Sequence, residues 1–171
     1  PSKPRLIVLV IGETARAESF ALQGYTRNTT PELAALPITY FTQVRSCGTA
    51  TAVSLPCLFS GFTRTRYDAD VAKHREGLLD ILQRSGYAVS WLDNNSGCKG
   101  ACDRVEKVPM LEHRKASWCI KGECQDGLLL ESFQHKLSTA PVADRIIVLH
   151  QAGSHGPAYY RRYPKAFERF T

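Results

Sequence analysis

RLIVLVIGET, residues 5–14, is the stretch whose reading decides the fold. The run from Leu6 to Ile11 is unbroken, apolar and rich in β-branched residues, which is how a strand buried on both faces of a parallel sheet reads. Gly12 ends it, and Glu13-Thr14-Ala15-Arg16 predicts the start of a helix, so that Glu13 stands at a strand's carboxyl edge. Three further segments repeat the signal: ITYFTQV (38–44), YAVSWL (87–92) and RIIVL (145–149), the last running into His150. Between them, residues 24–37 predict a loop with a short helix, and small residues 46–51 lead into another helix. In residues 74–85, Leu78, Leu79 and Leu82 share one helical face, and Gly86 is a natural stop. Residues 125–137 predict a further helix. Strands alternating with helices give an α/β class with a mostly parallel central sheet flanked by helices. A length of 171 residues suits one domain, and there is no repeat, low-complexity segment or linker.

In open α/β sheets, ligands bind beyond the carboxyl ends of the strands. Glu13, Asn95, Lys99, His150 and His155 all fall there. Glu13 reads either as an acid in a helix's first turn, favoured by the helix dipole, or as a metal ligand. In CGTATAVSLPC (47–57), the hydroxyls at a helix start read either as a cap or as a nucleophile whose phosphoryl oxyanion the free amides stabilise. Composition leaves Thr49, Thr51 and Ser54 equally open. A threonine hydroxyl is a poor nucleophile at neutral pH and needs a base or a metal. Lys99, beside Asn95 and Ser96 in a glycine-containing loop, suits phosphate contact or simple solvation. His155, between Ser154 and Gly156, suits a general acid or a metal ligand. His74, His113 and His135 read as surface residues.

Lys and Arg number 22 against 16 Asp and Glu, a net charge of +6, which favours anionic partners. The basic residues are scattered and form no nucleic-acid-binding arm, so no nucleic-acid partner is expected. The longest apolar run, Leu6–Ile11, is far short of the roughly 20 residues of a membrane span, and the amino terminus has no signal peptide; a membrane anchor is expected to lie outside this chain. The six cysteines form three close couples, Cys47/Cys57, Cys98/Cys102 and Cys119/Cys124. Loop closure favours near neighbours, and the spacings match a structural zinc site poorly. Three short-range disulfides in an oxidising compartment are the better reading.

IGETARAESFALQGYTRNTTPEL (11–33), SCGTATAVSLPCLFS (46–60), DNNSGCKGACDRV (93–105) and LHQAGSHGPAYYRRYPKAF (149–167) together resemble the phosphoethanolamine transferases. That family includes lipid A-modifying and mobile colistin-resistance enzymes and has an alkaline-phosphatase/sulfatase-like fold. The resemblance implies transfer of phosphoethanolamine from phosphatidylethanolamine to lipid A or lipopolysaccharide through a covalent threonine intermediate, in a periplasmic domain anchored to the inner membrane. It implies that Glu13 and Thr51 bind zinc, that Thr51 is the nucleophile, and that Asn95, Ser96 and Lys99 hold the donor's headgroup. His155 then protonates the leaving group or binds a second metal, and His150 supports the site from behind. The three cysteine couples match family disulfides.

The family completes its zinc site with an Asp-His pair, and this chain contains no Asp-His dipeptide. The expectation is therefore a partial catalytic domain over residues 1–171, with the membrane domain and a carboxyl-terminal catalytic half absent and little activity of its own. Rival readings are a sulfatase, a phosphoglycerol transferase, a transferase using a core sugar or protein acceptor, and a non-catalytic lipopolysaccharide-binding domain. The Cys/Ser-x-Pro-x-Arg pattern a sulfatase needs occurs nowhere in the chain.

Overall fold

The computed structural model describes residues 3–110, 117–120 and 122–170; His113 lies outside them. Four parallel strands form the central sheet in the order β1-β6-β2-β3: β1 (Leu6–Ile11), β6 (Arg145–His150), β2 (Ala88–Asp93) and β3 (Glu106–Val108). A small antiparallel hairpin pairs β4 (Cys119–Ile120) with β5 (Glu123–Cys124). The helices are α1 (Pro31–Ala34), α2 (Thr51–Phe59), α3 (Ala69–Lys73), α4 (Leu78–Arg84) and α5 (Gly127–Thr139).

The period of two along each strand splits the core in two. Val89, Trp91, Ile146 and Val148 face Leu55 and Phe59 of α2 and Leu79 of α4. Leu92, Ile147 and Leu149 face Leu129 of α5. Helices thus cover both faces, and β6 is buried along its whole length. All three disulfides are present: Cys47–Cys57, Cys98–Cys102 and Cys119–Cys124. Among the described residues no helix is long and apolar enough to cross a membrane.

Four expectations are corrected. Residues 38–44 are not a strand; they form an irregular segment with Phe41 and Val44 exposed. The fourth strand is instead β3, whose Glu-Lys-Val carries no apolar run and which pairs with Ser90–Leu92 of β2. β1 is not buried on both faces: it lies at the sheet edge, with Leu6, Ile7, Val8 and Val10 exposed and only Leu9 and Ile11 packed against the core. No α-helix begins at Glu13, because Thr14 has φ +53° and the chain makes only a 3-10 turn at Ala17–Ser19. The helix predicted over 74–85 is shorter, confined to α4 (Leu78–Arg84); residues 74–77 separate it from α3, which ends at Lys73. Gly86 follows α4 with φ +96°, the left-handed position glycine favours at a helix end.

Candidate active site

The register brings three strand ends to one level: Ile11 of β1 lies opposite His150 of β6, which lies opposite Asp93 of β2. Glu13, Asn95 and Gln151 follow within two residues, so the loops after β1, β2 and β6 converge at one place. Gln151 N donates to Ile11 O (3.0 Å) and Asn94 N to His150 O (2.9 Å), extending the ladder into those loops.

Glu13 is the centre of the convergence. Its Oε2 accepts the Thr51 hydroxyl at 2.7 Å and Asn95 Nδ2 at 3.2 Å, and its Oε1 accepts the Thr14 hydroxyl at 2.7 Å. Partial burial pushes the Glu13 carboxyl up, but the hydrogen bonds from Thr51, Thr14 and Asn95 and the charge of nearby His155 outweigh it, so the pKa is lowered and the carboxylate stays ionised. Thr51 is the first residue of α2, after an Ala50 that offers no side-chain cap. The first-turn amides of a helix have no partner within it and carry the positive end of its dipole. Thr49 and Ser54 line the same cavity of about 400 Å³, yet of the three hydroxyls it is Thr51 that bonds to Glu13.

Asn95 joins two loops, since its Nδ2 also donates to Gln151 O at 2.8 Å. Asn95, Ser96 and His155 line a neighbouring pocket of about 290 Å³. His155 Nδ1 meets Gly156 O at 2.8 Å; as that bond's donor, Nδ1 leaves Nε2 as the nitrogen available for proton transfer. Lys99 is not gathered with the others. It has φ +52°, its Nζ turns back onto Ser96 O at 2.5 Å, and it faces a different groove, beside α3 and α4. His74 and His135 are exposed, as expected of surface residues.

His150 is buried at the end of β6, with Nδ1 3.2 Å from Asp93 Oδ2. Asp93 also accepts Trp91 Nε1 (2.9 Å) and Asn95 N (2.7 Å). Burial works to raise the Asp93 carboxyl, yet the bonds from His150, Trp91 and Asn95 hold it at about 2. Asp93 is thus the acid that fixes the loop carrying Asn95. It was not singled out in the sequence; its place follows from its register with His150 on the next strand. Asp126, likewise unnoticed in the sequence, binds the loop that carries His155.

Glu13 Oε2 and Thr51 Oγ1 are two hard oxygen donors, and such a pair fits a divalent cation. A four-coordinate zinc takes two donors more, and among the described residues no group of three His, Cys, Asp or Glu ligand atoms gathers there. Cys98, Cys102 and Asp103 also approach one another within 4.8 Å, but the two sulfurs are bonded to each other and offer no thiolate.

The sequence model of the Sulfatase family matches residues 5–171. The chain belongs to the sulfatase family. Family membership does not by itself assign sulfatase activity. The fold is also similar to that of a protein in the alkaline phosphatase superfamily from Vibrio parahaemolyticus, 16% identical with a TM-score of 0.69, covering 96% of this chain and 43% of that one. Phosphoethanolamine transferase EptA of Escherichia coli (strain K12) is 48% identical over 169 residues, covering 99% of this chain and 31% of that protein. The soluble domain of lipooligosaccharide phosphoethanolamine transferase A from Neisseria meningitidis is 50% identical with a TM-score of 0.94, covering 99% of this chain and 51% of that one. The C-terminal periplasmic domain of EcEptC from Escherichia coli in complex with Zn is 25% identical with a TM-score of 0.76, covering 97% and 48%. This sulfatase-family chain therefore spans about a third of its curated relatives and about half of the solved domains.

Proposed function

We propose that the chain is part of a zinc-dependent phosphoethanolamine transferase, anchored in the inner membrane with this portion in the periplasm, that moves phosphoethanolamine from phosphatidylethanolamine to lipid A or lipopolysaccharide. The observation that carries the reading is the 2.7 Å hydrogen bond from the Thr51 hydroxyl to an ionised Glu13, made at the amino end of α2. Likeness to EptA and to the lipooligosaccharide transferase supports the substrate class, and the zinc complex of a related domain supports the metal.

Thr51 Oγ attacks the donor's phosphorus, and its proton is lost to solvent. The bond from phosphorus to the diacylglycerol oxygen breaks, and His155 Nε2 gives that oxygen a proton. Phosphoethanolamine is then held on Thr51 as a phosphodiester, with free amides of the first turn of α2 facing its oxygens. An ionised phosphate oxygen of lipid A attacks the same phosphorus, and the Thr51 oxygen leaves and takes a proton from solvent. A solvent proton restores His155. Zinc held by Glu13 and Thr51 would supply Lewis-acid polarisation of the threonine oxygen. Asn95 orients Glu13, and Ser96 contacts the donor headgroup. Lys99 joins that contact by releasing the Ser96 carbonyl and swinging toward the phosphate. The remaining zinc ligands are supplied by polypeptide beyond this chain, so residues 1–171 alone have little activity.

The test is mass spectrometry of the complete protein after incubation with phosphatidylethanolamine. A phosphoethanolamine adduct on Thr51 is expected, and its loss in Thr51→Ala together with all transfer. Transfer retained by Thr51→Ala would end the proposal.

A further inference from the structure

We propose that Asp126 is a positioning residue: its carboxylate sets the 152–155 segment, and with it His155, against the Glu13–Thr51 centre. The inference rests on the functional reading above.

Asp126 occupies the N-cap position of α5, where an aspartate ordinarily accepts an amide of its own helix. Here the side chain makes no capping bond. Instead Oδ1 accepts Ala152 N at 2.8 Å and Asn94 Nδ2 at 2.8 Å, and Oδ2 accepts Gly153 N at 2.8 Å. One carboxylate thus takes two consecutive amides of the loop after β6 and the side chain of the loop after β2. Bonds from N–H groups to an ionised acceptor are stronger and more directional than neutral ones.

The far side of the same segment is pinned by Glu13. Ser154 N donates to Glu13 O at 3.0 Å. Gly153, at φ +51°, packs so closely that an added Cβ would fall 2.6 Å from Glu13 O and 2.9 Å from Glu13 N. The segment is clamped between Asp126 and the Glu13 backbone, and His155 follows it directly. Asn94 carries the clamp across to Asn95, whose Nδ2 reaches Glu13 Oε2. The Asp126 carboxylate touches none of the reacting groups; it acts through the placement of His155.

The experiment is a double-mutant cycle in the complete enzyme, measuring diacylglycerol release from phosphatidylethanolamine with Asp126→Asn, His155→Ala and both together. Asparagine keeps the shape but sets a donor against an amide that needs an acceptor. Asp126→Asn is expected to lower kcat about 10- to 100-fold, the range for residues that orient a functional group, with KM for the donor changed less than about twofold. The double variant should be no slower than His155→Ala, the non-additivity of groups acting as a unit. Hydrogen exchange at the Ala152 and Gly153 amides should rise in Asp126→Asn while exchange in β6 stays unchanged, which separates the clamp from global loosening. Losses that multiply in the double variant, full kcat in Asp126→Asn, or full kcat in His155→Ala would each overturn the proposal. Thr51→Ala is run alongside: activity there would sink the transfer mechanism while leaving the Asp126–His155 coupling to be judged on its own.

Discussion

Asp93 and His150 face each other across adjacent parallel strands, carboxylate oxygen to ring nitrogen at 3.2 Å, with the histidine side chain 1% exposed. The pair closes the floor of the site. Asp93 is also the acceptor that shapes the Asn95 loop, so its ionisation links stability to the geometry above it.

The sign of that linkage is fixed by the direction of the shift. The folded carboxyl is held at about 2, below its ordinary value of 3.8, so its contribution is present above pH 4 and is lost as pH falls through 2. A shift of this size corresponds to roughly 2 kcal/mol, reduced by the side chain's partial exposure. Urea unfolding measured across pH 2–7 should show Asp93→Asn less stable at neutral pH by about 1–2 kcal/mol, with the gap to the unsubstituted protein closing near pH 2.

Gly153 is a second pressure point. An alanine there must hold φ +51° and drive its Cβ into the Glu13 backbone. The left-handed conformation alone costs about 1–2 kcal/mol, and the clash adds to it. Gly153→Ala should lower unfolding free energy by more than about 2 kcal/mol and reduce transfer as well, because the atoms displaced belong to Glu13. Thermal unfolding and a transfer assay on one sample test both.

Glu13 and the Cys98–Cys102 disulfide give opposite expectations for metal binding. Glu13→Gln in the complete protein should weaken zinc affinity in calorimetric titration by about 10-fold or more, through loss of a charged oxygen ligand. Replacing Cys98 and Cys102 together by serine should leave zinc affinity unchanged. It should instead lower stability by about 2 kcal/mol, the chain-entropy value for so short a loop.

Thr51→Ser keeps a hydroxyl where Thr51→Ala removes it. Transfer should fall about a thousandfold or more in the alanine variant, the scale of losing a nucleophile, and far less in the serine variant. Steady-state assays of phosphoethanolamine incorporation into lipid A distinguish the two.

The parts of the fold that were legible in the sequence are those whose burial is self-sufficient. β2 and β6 carry apolar runs that any parallel sheet would bury, and α5 and Gly86 announce themselves by periodicity and backbone freedom. Glu106–Val108 was not legible, since an edge strand of Glu-Lys-Val owes its state to the β2 backbone beside it. Ile38–Val44 misled for the converse reason: its β-branched and aromatic residues meet no partner strand. At the site, Glu13 and Asn95 could be read because they follow strand ends, whereas Thr51 was separated from Thr49 and Ser54 by the family resemblance alone; the structure brings Thr51 and Asn95 within hydrogen-bonding distance of Glu13. Asp93 and Asp126 could not be read, because their importance comes from register and from a loop folded over them. Lys99 was grouped with Asn95 and Ser96 on proximity in sequence; in the structure its backbone is left-handed and its Nζ donates to Ser96 O.

Because Ile11, His150 and Asp93 share one rung, the spacing of the reactive groups is inherited from main-chain ladders and only trimmed by side chains. A ladder tolerates no fractional slip: moving β6 by a single residue would invert every side chain on it and carry His150 to the opposite face. Length changes should therefore be far more damaging inside β1, β2 or β6 than in the turn at residues 140–144 that feeds β6. Catalytic spacing in this protein is a matter of counting along the backbone.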